Sequence, residues 1–262
     1  LENSVKLITN YQLKDDLSWS NGYQFNETGI LNETLVLQPP FDSEILDVLH
    51  THAFFSELTY ASEDKKWFAR GGARINYFEN VQTFNELIVE PRFNINYYFN
   101  RNFKLEVQGE FKSQATNQII DLEQNFFGIE KRRWILSDGS LLPVTKSKQG
   151  SIGFNYDQKN IYVGLEGFYK QVDGISTSTQ GFQNQNQFNG ELGKYDIRGL
   201  EFLINKRGED YSTWLSYTYN MNDYTFDGTI PSVFPNNLDV RHNITFAGSY
   251  SMNNFKLSVG LN

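Results

Sequence analysis

The chain has 262 residues, 39 % of them hydrophobic, with a mean hydropathy of −0.52, enough for one large all-β domain or two ordinary ones. Its formal charge of −8, from 31 acidic against 23 basic residues, argues against a general nucleic-acid binder, which presents a basic patch. The lack of cysteine excludes disulfides, thiol catalysis and thiolate metal sites.

No run of 18 apolar residues occurs, so no transmembrane helix is encoded. Yet 22 Phe and 15 Tyr are many rings for so few aliphatic residues. A membrane β-barrel has that composition, because aromatic girdles mark both interfaces and a polar interior lowers the average hydropathy. No signal peptide is visible, and Leu1 already lies in a strand pattern, so the expectation is a mature or partial segment.

In chain order, Ser4–Leu13 reads as a first strand, with Val5, Leu7, Thr9, Tyr11 and Leu13 on one face, since strand side chains alternate with period two. After Lys14-Asp15-Asp16, Leu17–Glu27 returns with Leu17, Trp19, Tyr23 and Phe25 on the same face. The prolines at 39 and 40 predict a long connection from about Thr28 to His52, with Asp42–Leu49 a short helical or irregular piece. Ala53–Ala61 is the third strand and Trp67–Tyr77 the fourth, where Arg70, Gly72, Arg74 and Asn76 oppose an apolar set. After a loop from about Glu79 to Glu86, the fifth strand, Leu87–Phe99, follows. Pro91 stands near its start, where a missing donor is tolerated best.

The sixth strand alternates most strictly. Phe103, Leu105, Val107, Gly109 and Phe111 oppose Lys104, Glu106, Gln108, Glu110 and Lys112. Such a strand cannot bury both faces, because the charged and amide groups would sit unpaired in a dry core. A connection from about Asp121 to Lys148 leads to strands at Gly150–Tyr156 and Ile161–Gln171. A polar loop, Val172 to Lys194, precedes two long strands from Tyr195 to Met221 around the turn Arg207-Gly208-Glu209-Asp210. A loop with Pro231 and Pro235 leads to strands at Asp239–Tyr250 and Phe255–Leu261. The total is about twelve strands.

The junctions alternate. Those after odd-numbered strands are short and those after even-numbered strands are long. Short turns at one end and long loops at the other are the pattern of an up-and-down transmembrane barrel, which a Greek-key sandwich has no reason to share. The expected fold is therefore all-β: an antiparallel up-and-down transmembrane β-barrel, with the short turns periplasmic. Leu200, Phe202, Ile204, Leu215, Tyr217 and Tyr219 are expected to face lipid, and Glu201, Ser216 and Thr218 the lumen.

Gly199-x-Glu201, Trp214-x-Ser216-Tyr217-Thr218, Tyr224-x-Phe226, Pro235-Asn-Asn-Leu-Asp239-Val-Arg241-His242 and Trp134-Ile-Leu-Ser-Asp138-Gly139 before Lys148-Gln149-Gly150-Ser151 together resemble TonB-dependent outer-membrane receptors. The resemblance is best from about residue 130 onward. It implies a 22-stranded barrel filled by an N-terminal plug. Residues 1–262 are then a partial transmembrane barrel domain, with plug and C-terminal strands outside the chain. It further implies active uptake of a scarce substrate (glycan, peptide or metal chelate) across the cell outer membrane of a Gram-negative bacterium. The implied partners are outer-membrane lipid, TonB through the plug region and, in some members, a surface lipoprotein lid. No nucleic acid, no cofactor and no bond chemistry are implied. The alternatives are a passive porin-like channel and, third, a barrel-embedded hydrolase.

Arg70, Arg74, Arg92, Lys104, Glu106, Glu110, Glu166 and Glu201 form the candidate lumen- or plug-facing set. Its mixed sign suits hydrogen bonding to a plug better than ion selection. Phe182, Gln185 and Phe188 in the polar loop are the candidate extracellular ligand contacts. His50-Thr-His52 has the spacing of a metal chelate on a strand face, with Asp47 near, but solvated loop residues are the stronger reading. Asp239 and Arg241 are expected to tie their strand to its neighbour or to the plug. No catalytic residue and no metal site are assigned.

Overall fold

Twelve strands follow one another along a single antiparallel sheet, and neighbours in sequence are neighbours in space almost throughout. The computed structural model describes residues 2–37, 40–80, 85–121, 131–138, 142–180, 190–252 and 255–261. The strands are β1 (Glu2–Lys14), β2 (Leu17–Leu37), β3 (Pro40–Ala61), β4 (Trp67–Glu79), β5 (Asn85–Tyr98) and β6 (Phe103–Gln114). A separate two-stranded sheet, β7 (Thr116–Asp121) and β8 (Lys131–Leu136), interrupts the path. It resumes with β9 (Thr145–Gln158), β10 (Ile161–Ser176), β11 (Leu192–Arg207) and β12 (Tyr211–Thr225). The short β13 (Val233–Pro235) pairs with β12, and β14 (His242–Met252) and β15 (Phe255–Leu261) complete the order. β1 and β15 are the two edges, so the sheet is open.

Register fixes the two faces. Leu200 lies opposite Tyr219, Phe202 opposite Tyr217 and Ile204 opposite Leu215. The same face carries Leu7, Phe54, Leu87 and Phe154, and each of these is more than half exposed. A surface this apolar and this extensive is an interaction surface, not the skin of a soluble monomer. On β10 its apolar run goes from Ile161 through Val163, Leu165 and Gly167 to Tyr169. That is about 27 Å along a strand, or about 20 Å in height at a tilt of ~40°.

The other face is polar. Among the described residues the sheet has no central core. Two small buried clusters stand on the polar face, away from the short turns. One joins Ile30, Leu49, Phe78, Ala115, Leu136 and Val144, with Ile88 against it. The other joins Val172, Ile175, Tyr224 and Phe226, with Tyr195 and Phe234.

Three expectations are corrected. The connection from Thr28 to His52 is not a loop, and Asp42–Leu49 is neither helical nor irregular. β2 and β3 run on as one hairpin, paired without slip from Thr28 opposite Leu49 to Leu37 opposite Pro40. Continuous ladder bonds satisfy the backbone there. Pro40, which donates nothing, opens β3, a position where proline does no harm. The segment from Asp121 to Lys148 contains β8 and the start of β9. The loop from Val172 to Lys194 loses its ends to β10 and β11 and, among the described residues, holds one helical turn, α1 (Thr177–Gln180).

Candidate functional site

The polar face is built from transverse rows, one residue from each strand. One row runs Glu57, Gly72, Arg92, Glu110, Gln149, Lys170, Ile197. The next runs Arg70, Asn94, Gln108, Ser151, Phe168. A third runs Asn96, Glu106, Gly153, Glu166, Glu201, Thr218. Arg74 faces Glu90, and Lys104 faces Asn155. Pairing thus puts all eight candidates, Arg70, Arg74, Arg92, Lys104, Glu106, Glu110, Glu166 and Glu201, on one face, opposite the apolar one.

Most of these charges are tied within the wall. Glu57 Oε2 forms an ion pair with Arg92 Nε at 3.1 Å, and its Oε1 stands 4.0 Å from Arg70 Nε. Lys104 Nζ lies 2.7 Å from Glu106 Oε2, while Asn94 Nδ2 donates to Glu106 Oε1 at 3.1 Å. Glu110 takes Lys112 at 2.8 Å and the amide of Gln149. Arg74 donates to Asn76 at 2.7 Å and to Gln24 at 3.1 Å. A hollow of about 370 Å³ opens among Glu57, Arg70, Arg92, Glu110, Gln149 and Glu166. Glu57 was missed in the sequence. Its position in phase with Arg70 and Arg74 across a short turn was the signal that could have found it.

Glu166 and Glu201 differ from the rest. They are direct cross-strand partners on the same face, and neither has a cationic partner among the described residues. Like charges opposed in this way destabilise a sheet.

The other candidates separate. Asp239 Oδ1 accepts from the backbone of Asn222 at 3.1 Å, and its Oδ2 accepts from Arg241 Nε at 2.9 Å. Asp223 adds a longer contact to Arg241 at 3.9 Å. The loop before β14 is thereby tied to β12, as the sequence suggested. The hydrogen bond to Asp239, and then its charge, push the Arg241 guanidinium pKa above its ordinary value.

His50 and His52 lie in β3, not in a loop, and on the apolar side. They take different partners: His50 Nε2 meets Glu27 Oε2 at 3.2 Å, and His52 Nδ1 meets the Tyr23 hydroxyl at 2.8 Å. Asp47 has the opposite strand parity and so lies across the sheet from them. Phe182, Gln185 and Phe188 lie outside the described residues.

Comparison with known proteins follows the same lines. A family model described as TonB dependent receptor-like, beta-barrel matches residues 3–262. No curated protein matches the sequence. Among solved structures, the FrpB iron transporter from Neisseria meningitidis (F5-1 variant) superposes with a TM-score of 0.71 at 11 % identity, covering 99 % of this chain and 42 % of that one. The ferric yersiniabactin uptake receptor FyuA from Yersinia pestis gives 0.66 at 13 %, with 99 % and 42 % covered. The siderophore receptor PirA from Acinetobacter baumannii gives 0.65 at 13 %, with 97 % and 40 %. At these identities the likeness is one of fold, and the chain spans about two fifths of the length of these structures.

Proposed function

The chain belongs to the TonB-dependent receptor family, as part of its β-barrel, and from that premise we propose that it is one wall of an outer-membrane active-transport receptor. The apolar face meets lipid. The polar face lines the lumen and holds a plug domain carried elsewhere in the protein. Substrate is captured at the end of the barrel where the β2–β3 and β7–β8 hairpins stand. It passes when energy delivered through TonB displaces the plug. Further strands pair with the open edges of β1 and β15 and close the barrel.

The observation that carries this reading is the Glu166–Glu201 pair. A passive channel wall gains nothing from opposing two carboxylates in adjacent strands. A wall built around a separate domain can meet them with that domain's cations, through charge-assisted hydrogen bonds. The other six candidate charges already have partners in the wall, which suits a packed interface better than an ion-selective pore.

The test uses the full-length receptor in planar bilayers and in cells. The purified receptor is expected to stay closed to ions under an applied potential. Uptake of its substrate is expected to stop when the proton-motive force is collapsed or TonB is deleted. Steady conductance together with uptake insensitive to both treatments is the result expected of a passive porin instead.

A further inference from the structure

The β2–β3 hairpin runs on past the apolar belt. On this side of the sheet the belt ends at the row Val5, Phe25, His52, Tyr77 and Leu87. The next row is polar, with Glu27 and His50 3.2 Å apart and Asn3 donating to Glu27 at 3.1 Å. Above it β2 and β3 form a two-stranded ribbon, from Thr28 opposite Leu49 to Leu37 opposite Pro40, roughly 30 Å of strand. β4 leaves β3 at His50, which lies opposite Glu79. Among the described residues, the second edge of β3 from Pro40 to Leu49 therefore pairs with no strand.

The two faces of the ribbon differ. β8 covers the inner one, where Leu136 is buried with Ile30 and Leu49. The outer one is bare. There Leu31 lies opposite Leu46, Glu33 opposite Glu44 and Leu35 opposite Asp42. Each of the three leucines is at least half exposed, and Glu33, Asp42 and Glu44 are exposed too. Residues 28–49 carry Glu33, Asp42, Glu44 and Asp47 and no Lys or Arg. None of the four has a cationic partner among the described residues.

We propose that the free edge of β3 is a docking site for an extended basic segment of a partner protein at the cell surface, which adds to the ribbon as a third strand. The inference goes beyond substrate uptake. It takes from the transport reading only that the apolar belt lies in the bilayer with the short turns inside. Main-chain hydrogen bonds along an open edge supply affinity, and alternate side chains supply specificity. On the outer face, an incoming antiparallel strand sets side chains at successive alternate positions opposite Leu46, Glu44 and Asp42. One apolar residue followed by two cations in those positions meets all three. A cation beside Glu44 also offsets the Glu33–Glu44 opposition, which by itself destabilises the ribbon. A second copy of the ribbon is the wrong partner. It would set Asp42, Glu44 and Asp47 against their own kind, and charge on an edge strand is how such self-pairing is avoided.

The test uses the full-length receptor in detergent and a fluorescent, end-blocked peptide, Thr-Val-Thr-Lys-Thr-Lys-Thr, whose alternate positions carry that pattern. The peptide is expected to bind, as read by fluorescence anisotropy. Alternate amides within residues 41–49 are expected to exchange hydrogen for deuterium quickly in the free receptor and slowly with peptide bound, because successive N–H groups of a strand point to opposite edges. The same peptide methylated on its edge-facing backbone nitrogens keeps its charge, cannot pair, and is expected not to bind. Glu33→Gln/Glu44→Gln, at two exposed positions, is expected to weaken binding about threefold at low salt, the worth of exposed ion pairs, and to match the wild type at high salt. Heat-modifiable mobility on gels confirms that the double variant is a folded barrel. No binding by the parent peptide, equal binding by the methylated one, or equal low-salt binding by wild type and the folded double variant overturns the proposal. Slow exchange of every amide in residues 41–49 without peptide overturns it too, since another part of the same protein then covers the edge. A receptor that fails these tests while its uptake still requires TonB and the proton-motive force leaves the transport reading standing.

Discussion

Glu201 is where a single side chain separates a wall from a wall with an occupant. In the sheet alone, Glu201→Gln removes a like-charge opposition with Glu166 and should stabilise by a few tenths of a kcal/mol, up to ~1. In a receptor whose plug is held by this pair, the same change removes an anchor. The full-length Glu201→Gln, and more strongly the Glu166→Gln/Glu201→Gln double variant, should show bursts of ionic current in planar bilayers where the wild type is silent. Silence in both variants counts against plug contact at this pair. Asp64, in the short turn between β3 and β4, gives a residue-scale prediction in pH. Its Oδ1 accepts from Ser62 Oγ at 2.7 Å and from the Lys66 backbone at 3.0 Å, and the Ser62 bond first, then the Lys66 bond, hold its pKa below the ordinary value. A depressed carboxylate contributes its stability above the unfolded pKa of about 4 and loses it as pH falls through the folded value. A carbon-detected NMR titration of Asp64 should therefore place its midpoint below that of an unstructured aspartate. Ser62→Ala should move the midpoint upward, and an unchanged midpoint would show that the turn bond does not hold in solution.

Among the elements, the β7–β8 hairpin differs from the barrel strands. It pairs with none of them but packs back on the polar face near the ends of β2 and β3. Leu136 is buried with Ile30, Leu49 and Phe78, and Asn32 Nδ2 donates to Trp134 O at 2.9 Å. Leu136→Ala removes a buried leucine from this seat, a change that costs about 2–4 kcal/mol where a core cannot collapse. The cost falls on docking of the hairpin and not on the ladders of β1 to β6. Protease added outside cells should cut within 116–136 faster in Leu136→Ala, while the melting of the barrel stays put. Equal cutting of variant and wild type would show that the cluster does not hold the hairpin. This element also marks the limit of what the sequence could convey. The twelve barrel strands were legible because lipid on one side and water on the other enforce period two, as in Phe103 to Lys112. β7, β8 and the outer halves of β2 and β3 lack that environment, so the stretch from Thr28 to His52 read as a loop and not as two paired strand ends. That the residues from Arg70 to Glu201 share one face followed from parity alone. The Glu166–Glu201 pairing did not, because register between strands depends on turn geometry that alternation leaves open.

For the molecule as a whole, the decisive feature is the pair of free edges. β1 donates and accepts along one side only, through β2, and β15 through β14 alone. Within a bilayer, an unpaired backbone group costs several kcal/mol, and a strand edge exposes a row of them, so an open sheet cannot stand in the hydrocarbon region. Edges this long also invite pairing with other chains. Two outcomes are physically open to these twelve strands: closure with further strands of the same protein, or association edge to edge. Length favours the first, since the chain matches about two fifths of receptors with the same fold. Residues 1–262 produced alone and refolded into detergent should therefore give edge-paired oligomers without the heat-modifiable, SDS-resistant monomer of a closed barrel. The full-length receptor should give that monomer. Adding the remaining barrel strands in trans should convert the oligomers to it in part. A heat-modifiable monomer from residues 1–262 alone would show that β1 and β15 can meet, and that a narrow twelve-stranded barrel satisfies their backbone without further strands.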